Sequence, residues 1–261
     1  MRDGYNPSVS IRGNGDALVL VPGINGSGAL FYRQVPLLER SYRVATYSLR
    51  DEADELDVLV EDLAQVVDRT AGENRQAVIV GESFGGAVAL TFALKYPDRV
   101  STLVILNSFP RLPSQLRLRL AIAGLTALPW NAFPLLRRAT VWRLHSRHTD
   151  RQDIRRFIEL TSDATRHGYL NRLKLLRRYD VRHRLHELTM PTLFLAAEHD
   201  HLVPSVAEAR FMSTRVPSAA LQILAGHGHI CLIALDLDLA AIIGEWNTSR
   251  QSSRPSEAAK V

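Results

Sequence analysis

Residues 76–97, QAVIVGESFGGAVALTFALKYP, change character at a single glycine. QAVIV is an apolar, β-branched run without polar alternation, the pattern of a strand buried on both faces. FGGAVALTFALKYP is small and apolar, which predicts a helix that stops before Pro97. A strand that turns directly into a helix belongs to a layered α/β structure. Gly81 and Gly85 are the small residues needed where the two backbones pass close together, and Ser83 stands between them. Ser83 is therefore either a nucleophile on a strained turn or a structural serine capping the helix that follows.

The rest of the chain repeats the alternation. Strands are expected at 17–21, 43–49, 77–80, 101–107, 192–197 and 221–225. Between the second and third, Leu56, Leu59, Val60, Leu63, Val66 and Val67 recur at helical spacing and give that helix one apolar face. Such a pattern predicts a mostly parallel sheet covered by helices on both faces. From Ser108 to Leu188 the alternation fails, and helical patterns broken at Pro113, Pro129 and Pro134 replace it. A structureless loop of that length is improbable, so an inserted helical cap is expected. The 261 residues, 46% hydrophobic, suffice for one α/β domain with an insertion. The organisation read from the sequence is a core over 1–107 and 189–248, a cap over 108–188, and a polar, disordered tail over 249–261.

Composition removes several classes of function. The one cysteine, Cys231, excludes an internal disulfide framework, and no Cys/His cluster has zinc-ligand spacing. No metal and no organic cofactor is expected. The first residues lack the apolar stretch of a signal peptide, and no run is long enough to span a bilayer, which together suit a cytoplasmic protein. PGINGSG (22–28) lacks the Lys-Ser/Thr ending of a phosphate-binding P-loop and the spacing of a dinucleotide fingerprint.

In an open parallel sheet, functional residues gather on the loops that follow the strands. Those loops are PGINGSG, GESFGG, EHDHLVP (198–204) and GHGHI (226–230). They bring a glycine-rich turn, a serine, an aspartate and, in GHGHI, two candidate histidines, His227 and His229. Asp200 is either a partner for a histidine or the initiator of its own turn. His199 and His201 read as exposed turn residues, and Glu82 has no assigned role.

From residue 17 to about 248, the motifs LVPGINGSG, GESFGG, AAEHDHLVP and AGHGHI resemble those of the α/β-hydrolase fold superfamily. Pro22 stands where that family often has a histidine, a departure shared with some of its lipid-ester hydrolases and acyltransferases. The resemblance implies a Ser83–Asp200–His229 triad in the family's chain order. Family spacing selects His229 over His227, leaving His227 as a solvated loop or rim residue. It further implies an oxyanion hole formed by the backbone N–H groups of Phe84, the residue after the nucleophile, and Ile24. The activity so implied is cleavage of a carboxylic ester through an acyl-enzyme. An acyltransferase or thioesterase on the same triad is the alternative within the fold, and a non-catalytic ligand receptor is the alternative outside enzymes.

Charge is distributed unevenly. The span 108–188 holds 17 Lys and Arg against 6 Asp and Glu, although the whole chain carries only +5. Three readings follow. Arg137, Arg138, Arg155, Arg156, Arg177 and Arg178 solvate outer helix faces; or the field attracts an anionic, lipid-like ester; or the basic cap touches an anionic membrane surface. Nucleic acid is not an expected partner, because no aromatic platform or recognised module accompanies the charge.

Overall fold

The computed structural model describes residues 5–127, 129, 144–162 and 164–252. Among them, seven strands form one sheet: β1 (Val9–Arg12), β2 (Asp16–Val21), β3 (Tyr42–Tyr47), β4 (Ala77–Glu82), β5 (Val100–Leu106), β6 (Thr192–Ala197) and β7 (Ala219–Leu224). Their spatial order is β1-β3-β2-β4-β5-β6-β7; β1 is antiparallel to β3, and every other pair is parallel. The expected α/β class is therefore the observed one. All six expected strands are present, with ends displaced by at most two residues.

The sequence reading placed no strand at β1. VSIR offers no apolar run and is largely exposed. It is an edge strand held by its ladder to β3, from Val9 opposite Tyr47 to Arg12 opposite Val44, rather than by burial.

The described helices are α1 (Val35–Leu38), α2 (Leu56–Ala71), α3 (Phe84–Lys95), α4 (Gln115–Ala127), α5 (Arg151–Leu160), α6 (Arg166–Leu175), α7 (Ser205–Ser213) and α8 (Leu239–Ser252). Because successive side chains of a strand point to opposite faces, the parallel strands feed two cores. Val19, Val21, Ile79, Ile105 and Ala196 join Leu63 of α2, Leu90 of α3 and Met212 of α7. Leu18, Leu20, Val80, Leu106 and Leu195 join Leu38 of α1 and Ile243 of α8. Each such leucine or isoleucine contributes about 2 kcal/mol on burial, and this anchors the strand ends from which the functional loops spring.

Between β5 and β6 the described residues form α4, α5, α6 and a 3-10 stretch, Arg182–Glu187. The one strand-like feature described there is an isolated bridge from His145 to Ile230. The expected break at Pro134 and the arginines Arg137 and Arg138 lie outside the described residues. Arg155, Arg156, Arg177 and Arg178 are exposed.

At the other end, α8 runs through Ser252, so a tail beginning at 249 was set too early. There Ser249 Oγ and Ser252 Oγ donate back to the carbonyls of Trp246 and Thr248, at 2.8 and 3.0 Å. Residues 253–261 lie outside the described set. No described helix is long and apolar enough to cross a membrane.

Candidate active site

Ser83 follows β4 directly and precedes the first residue of α3. Its backbone has φ 53° and ψ −117°, a conformation that non-glycine residues rarely adopt. The surroundings impose it. The Ser83 N–H donates to Leu106 O at 2.9 Å, and the Ser83 carbonyl accepts from Ser108 Oγ at 2.7 Å. Gly85 permits the approach, since a Cβ there would lie 2.2 Å from the carbonyl oxygen of Val21. The hydroxyl caps nothing in α3. Its Oγ lies instead 3.0 Å from His229 Nε2, so the capping alternative has no hydrogen bond behind it.

His229 Nδ1 lies 2.7 Å from Asp200 Oδ2. With a carboxylate at Nδ1, the neutral ring carries its proton there and leaves Nε2 to accept from the Ser83 hydroxyl. Asp200 meets both of its expected roles with different oxygens. Its Oδ1 accepts from the N–H groups of Leu202 and Val203, each at 2.9 Å, which builds the turn. Its Oδ2 faces His229 and also accepts from Ser205 Oγ.

Burial pushes the Asp200 carboxyl up, but hydrogen bonds from His229, Ser205 and Val203 outweigh it and hold the group below the usual carboxylate range. For His229, burial opposes protonation; the hydrogen bond and charge of Asp200, aided by the charge of Glu82, prevail and raise the imidazole above its ordinary value. The result is an ionised Asp200 beside a strengthened base.

Phe84 begins α3, so its N–H is one of the helix's unpaired first donors. Ile24 lies in the loop after β2, and both residues line a cavity of about 570 Å³ together with Ser83. A second cavity, of about 430 Å³, also opens on Ser83 and Ile24 and contains His229. His201, exposed as expected, lines both with Leu202. Among the described residues, no group of three or more His, Cys, Asp or Glu could hold a metal ion.

Four residues gain roles that the sequence reading did not give them. His227 is a correction: it is 6% exposed, with Nδ1 2.9 Å from Ser146 Oγ, because the Leu144–His148 segment covers its loop. That cover includes the Ile230 N–H donating to Leu144 O at 2.8 Å. Glu82 lines the smaller cavity, with Oε1 3.9 Å from His229 Nε2. Burial drives its carboxyl up, and the charge of His229 draws it partly back.

Asn107 directly follows β5 with φ 49°; its Nδ2 donates to the His229 carbonyl at 2.9 Å, and its Oδ1 accepts from Ala197 N–H at 2.7 Å. A side-chain amide closing a buried strand was the available signal. Arg172, on α6, is 2% exposed and donates to the carbonyls of Ile24 and Leu49 at 3.2 and 2.9 Å. Nothing in the basic pattern of α6 separates it from its solvated neighbours.

The chain is similar to known proteins. RutD of Escherichia coli O139:H28 (strain E24377A / ETEC), named as a candidate carbamate hydrolase, is 28% identical over 230 residues, which span 82% of this chain and 84% of that one. The esterase EaEST from Exiguobacterium antarcticum superposes with a TM-score of 0.79 at 20% identity, covering 95% of this chain and 96% of the other. A thermophilic esterase from Thermogutta terrifontis gives 0.80 at 20% identity over 93% of each chain. At such identities the two structures speak for the fold. The sequence model of the alpha/beta hydrolase fold matches residues 16–234, a span that contains Ser83, Asp200 and His229, and the chain belongs to that family.

Proposed function

We propose that the protein is a serine hydrolase that cleaves a carboxylic ester through an acyl-enzyme. One observation carries this reading: the Ser83 hydroxyl is spent on His229 rather than on its helix, and His229 is in turn held by Asp200.

In the first half-reaction Ser83 Oγ attacks the acyl carbon while its proton passes to His229 Nε2. Asp200 stabilises the imidazolium so formed without taking the proton. The oxyanion is received by the N–H groups of Phe84 and Ile24, each of which is worth about 3 kcal/mol of transition-state stabilisation in sites of this kind. The bond to the leaving oxygen then breaks, and that oxygen takes the proton from Nε2. Water, giving a proton to the same histidine, attacks the acyl-serine; the acyl–Oγ bond breaks, the carboxylic acid leaves, and His229 returns the proton to Ser83 Oγ. The substrate is a small or lipid-like ester, since Phe109, Leu112, Leu118, Leu173 and Leu176 make the larger cavity apolar.

The test is labelling by a fluorophosphonate, run beside an ester panel graded by acyl length. A carbamate joins the panel because the RutD relative is named for that substrate. Labelling and ester turnover in the wild type, both lost in Ser83→Ala, are the expected result. A wild type that is neither labelled nor active overturns the reading in favour of a ligand receptor. Carbamate turnover exceeding that of every ester would move the substrate from ester to carbamate while leaving the triad in place.

A further inference from the structure

Two cavities meet at Ser83, and they differ in what else they contain. His229 lines the smaller one and is absent from the lining of the larger. If the serine-hydrolase reading holds, this asymmetry assigns the two halves of the substrate. The leaving oxygen must receive its proton from His229 Nε2, so the leaving group departs on the histidine side. The acyl chain then occupies the other side; both cavities have apolar walls, Leu30, Phe157 and Ile233 in the smaller and Phe109, Leu118 and Leu176 in the larger, so what sets the smaller one apart is His229 and Glu82.

The smaller cavity holds a carboxyl group close to the departing atom. Glu82 is 16% exposed there, with Oε1 3.9 Å from His229 Nε2. Its other oxygen, Oε2, is packed against Gly23, so near that a Cβ on that residue would fall 2.3 Å from it. One oxygen is thus pinned by the loop, and the other faces the space beside the leaving atom.

We propose that the smaller cavity is the leaving-group chamber, and that Glu82 selects there for an alcohol half bearing a hydrogen-bond donor or a positive charge. A carboxylate in that half would stand beside a buried acid with little water between them, where repulsion is strong. A donor or an ammonium group would be held by the free oxygen. The imidazolium that forms on His229 during attack favours ionised Glu82 at that moment, so the selection acts as the leaving group departs. Among the described residues, the exposed Arg155, Arg156, Arg177 and Arg178 do not line this cavity.

Three butyrate esters differing only in the alcohol half test this: 2-(dimethylamino)ethyl, the isosteric 3-methylbutyl, and 2-carboxyethyl. Acid release is followed at about pH 7.5, where the first is cationic and the last anionic. We expect the cation to exceed the anion by about tenfold or more in kcat/KM, the neutral ester lying between. Glu82→Gln should collapse that ratio, and Glu82→Asp, which keeps the charge, should retain most of it. Leu173→Trp in the larger cavity should change the preferred acyl length and leave the alcohol ratio alone.

A ratio equal in wild type and Glu82→Gln overturns the proposal, as does a wild type that favours the carboxylate. A Leu173→Trp enzyme altered in alcohol preference but not in acyl length would reverse the chambers and overturn it too. Hydrolysis of the neutral ester together with an unmoved ratio defeats this inference alone. Absence of all turnover and of fluorophosphonate labelling defeats the serine-hydrolase reading beneath it.

Discussion

The guanidinium of Arg172 donates to the carbonyl of Ile24 at 3.2 Å, so a helix inserted between β5 and β6 grips the loop proposed to carry an oxyanion donor. The same group reaches Leu49 O at 2.9 Å and Asp51 Oδ1 at 2.6 Å. Gly26 makes room: with φ 77°, it presents no Cβ where one would lie 2.4 Å from an Arg172 nitrogen. A planar fork of donors suits this set of acceptors, and a lysine cannot reproduce it.

Arg172→Met should therefore lower kcat by about 10- to 100-fold with KM little changed, because a misplaced donor weakens the transition state more than the bound ester. Arg172→Lys should recover only part of the loss. Affinity for a trifluoromethyl ketone, which mimics the oxyanion, should fall in parallel with kcat. A lower melting temperature with kcat intact would mean that Arg172 is a strut and nothing more.

Ser83 carries a cost in backbone conformation that glycine would not. Ser83→Ala should abolish turnover and labelling, yet leave thermal stability near that of the wild type. Ser83→Gly should be the more stable of the two by about 1 kcal/mol, since glycine takes a positive φ without strain. Denaturant midpoints of the three proteins decide it. Equal stability of the alanine and glycine variants would show that the turn is relaxed around Ser83.

The two histidines of GHGHI separate cleanly. His229→Ala should remove nearly all turnover by deleting the base. His227 touches Ser146 rather than Ser83. His227→Ala should cost about 1–2 kcal/mol of stability through the lost buried hydrogen bond, with kcat within several-fold of wild type. A crippled His227 variant of normal stability would show that the catalytic histidine has been misassigned.

These residues also mark how far sequence reading went. Strands β2, β4, β5 and β6 were legible because parallel strands buried on both faces form continuous apolar runs, of which AVIV and TLFLAA are examples, whereas β3 and β7 are only partly buried and show shorter apolar stretches. Ser83, Asp200 and His229 were legible because strand-end loops narrow the candidates and the motifs on them resemble the α/β-hydrolase pattern, whose spacing selects His229 over His227. Arg172, Asn107 and the burial of His227 were not, for a common reason: each acts across the chain, on a carbonyl or hydroxyl from an element distant in sequence, and local periodicity carries no such signal. Glu82 stands at a position that varies in the family pattern and so carried no signal, and its proximity to His229 exists only once β4 and the loop after β7 are side by side.

Because His229 is held above the ordinary histidine value, mainly against burial by Asp200 and then Glu82, the base is neutral only at higher pH than a free histidine. The acid limb of kcat/KM should lie above about pH 6.5 in the wild type. Asp200→Asn removes the largest raising influence and should move that limb to lower pH while sharply reducing the plateau. Glu82→Gln should move it the same way by less. An acid limb that stays put in Asp200→Asn would show that the titrating group is not His229.

His145 gives the fold its own acid sensitivity. Its ring lies edge-on to Phe157, at 5.4 Å and 88°, and burial pulls its pKa down to about 4. The unfolded chain takes up this proton below about pH 6.5, whereas the folded one refuses it until about pH 4, so stability falls as pH drops through that window. The full loss is about 3 kcal/mol as an order of magnitude. Because the His145 backbone pairs with Ile230, next to His229, opening there should carry activity away with it. For His229 the sign is opposite: its raised pKa adds stability as the pH falls below that value, an effect complete near pH 6.5, above the window in which His145 acts. Denaturant unfolding of wild type and His145→Leu at about pH 7.5 and about pH 4.5 isolates the effect, the wild type losing more stability between the two by roughly 1–3 kcal/mol. Equal losses would show that the ring is protonated in the folded state and that another buried group sets the acid limit.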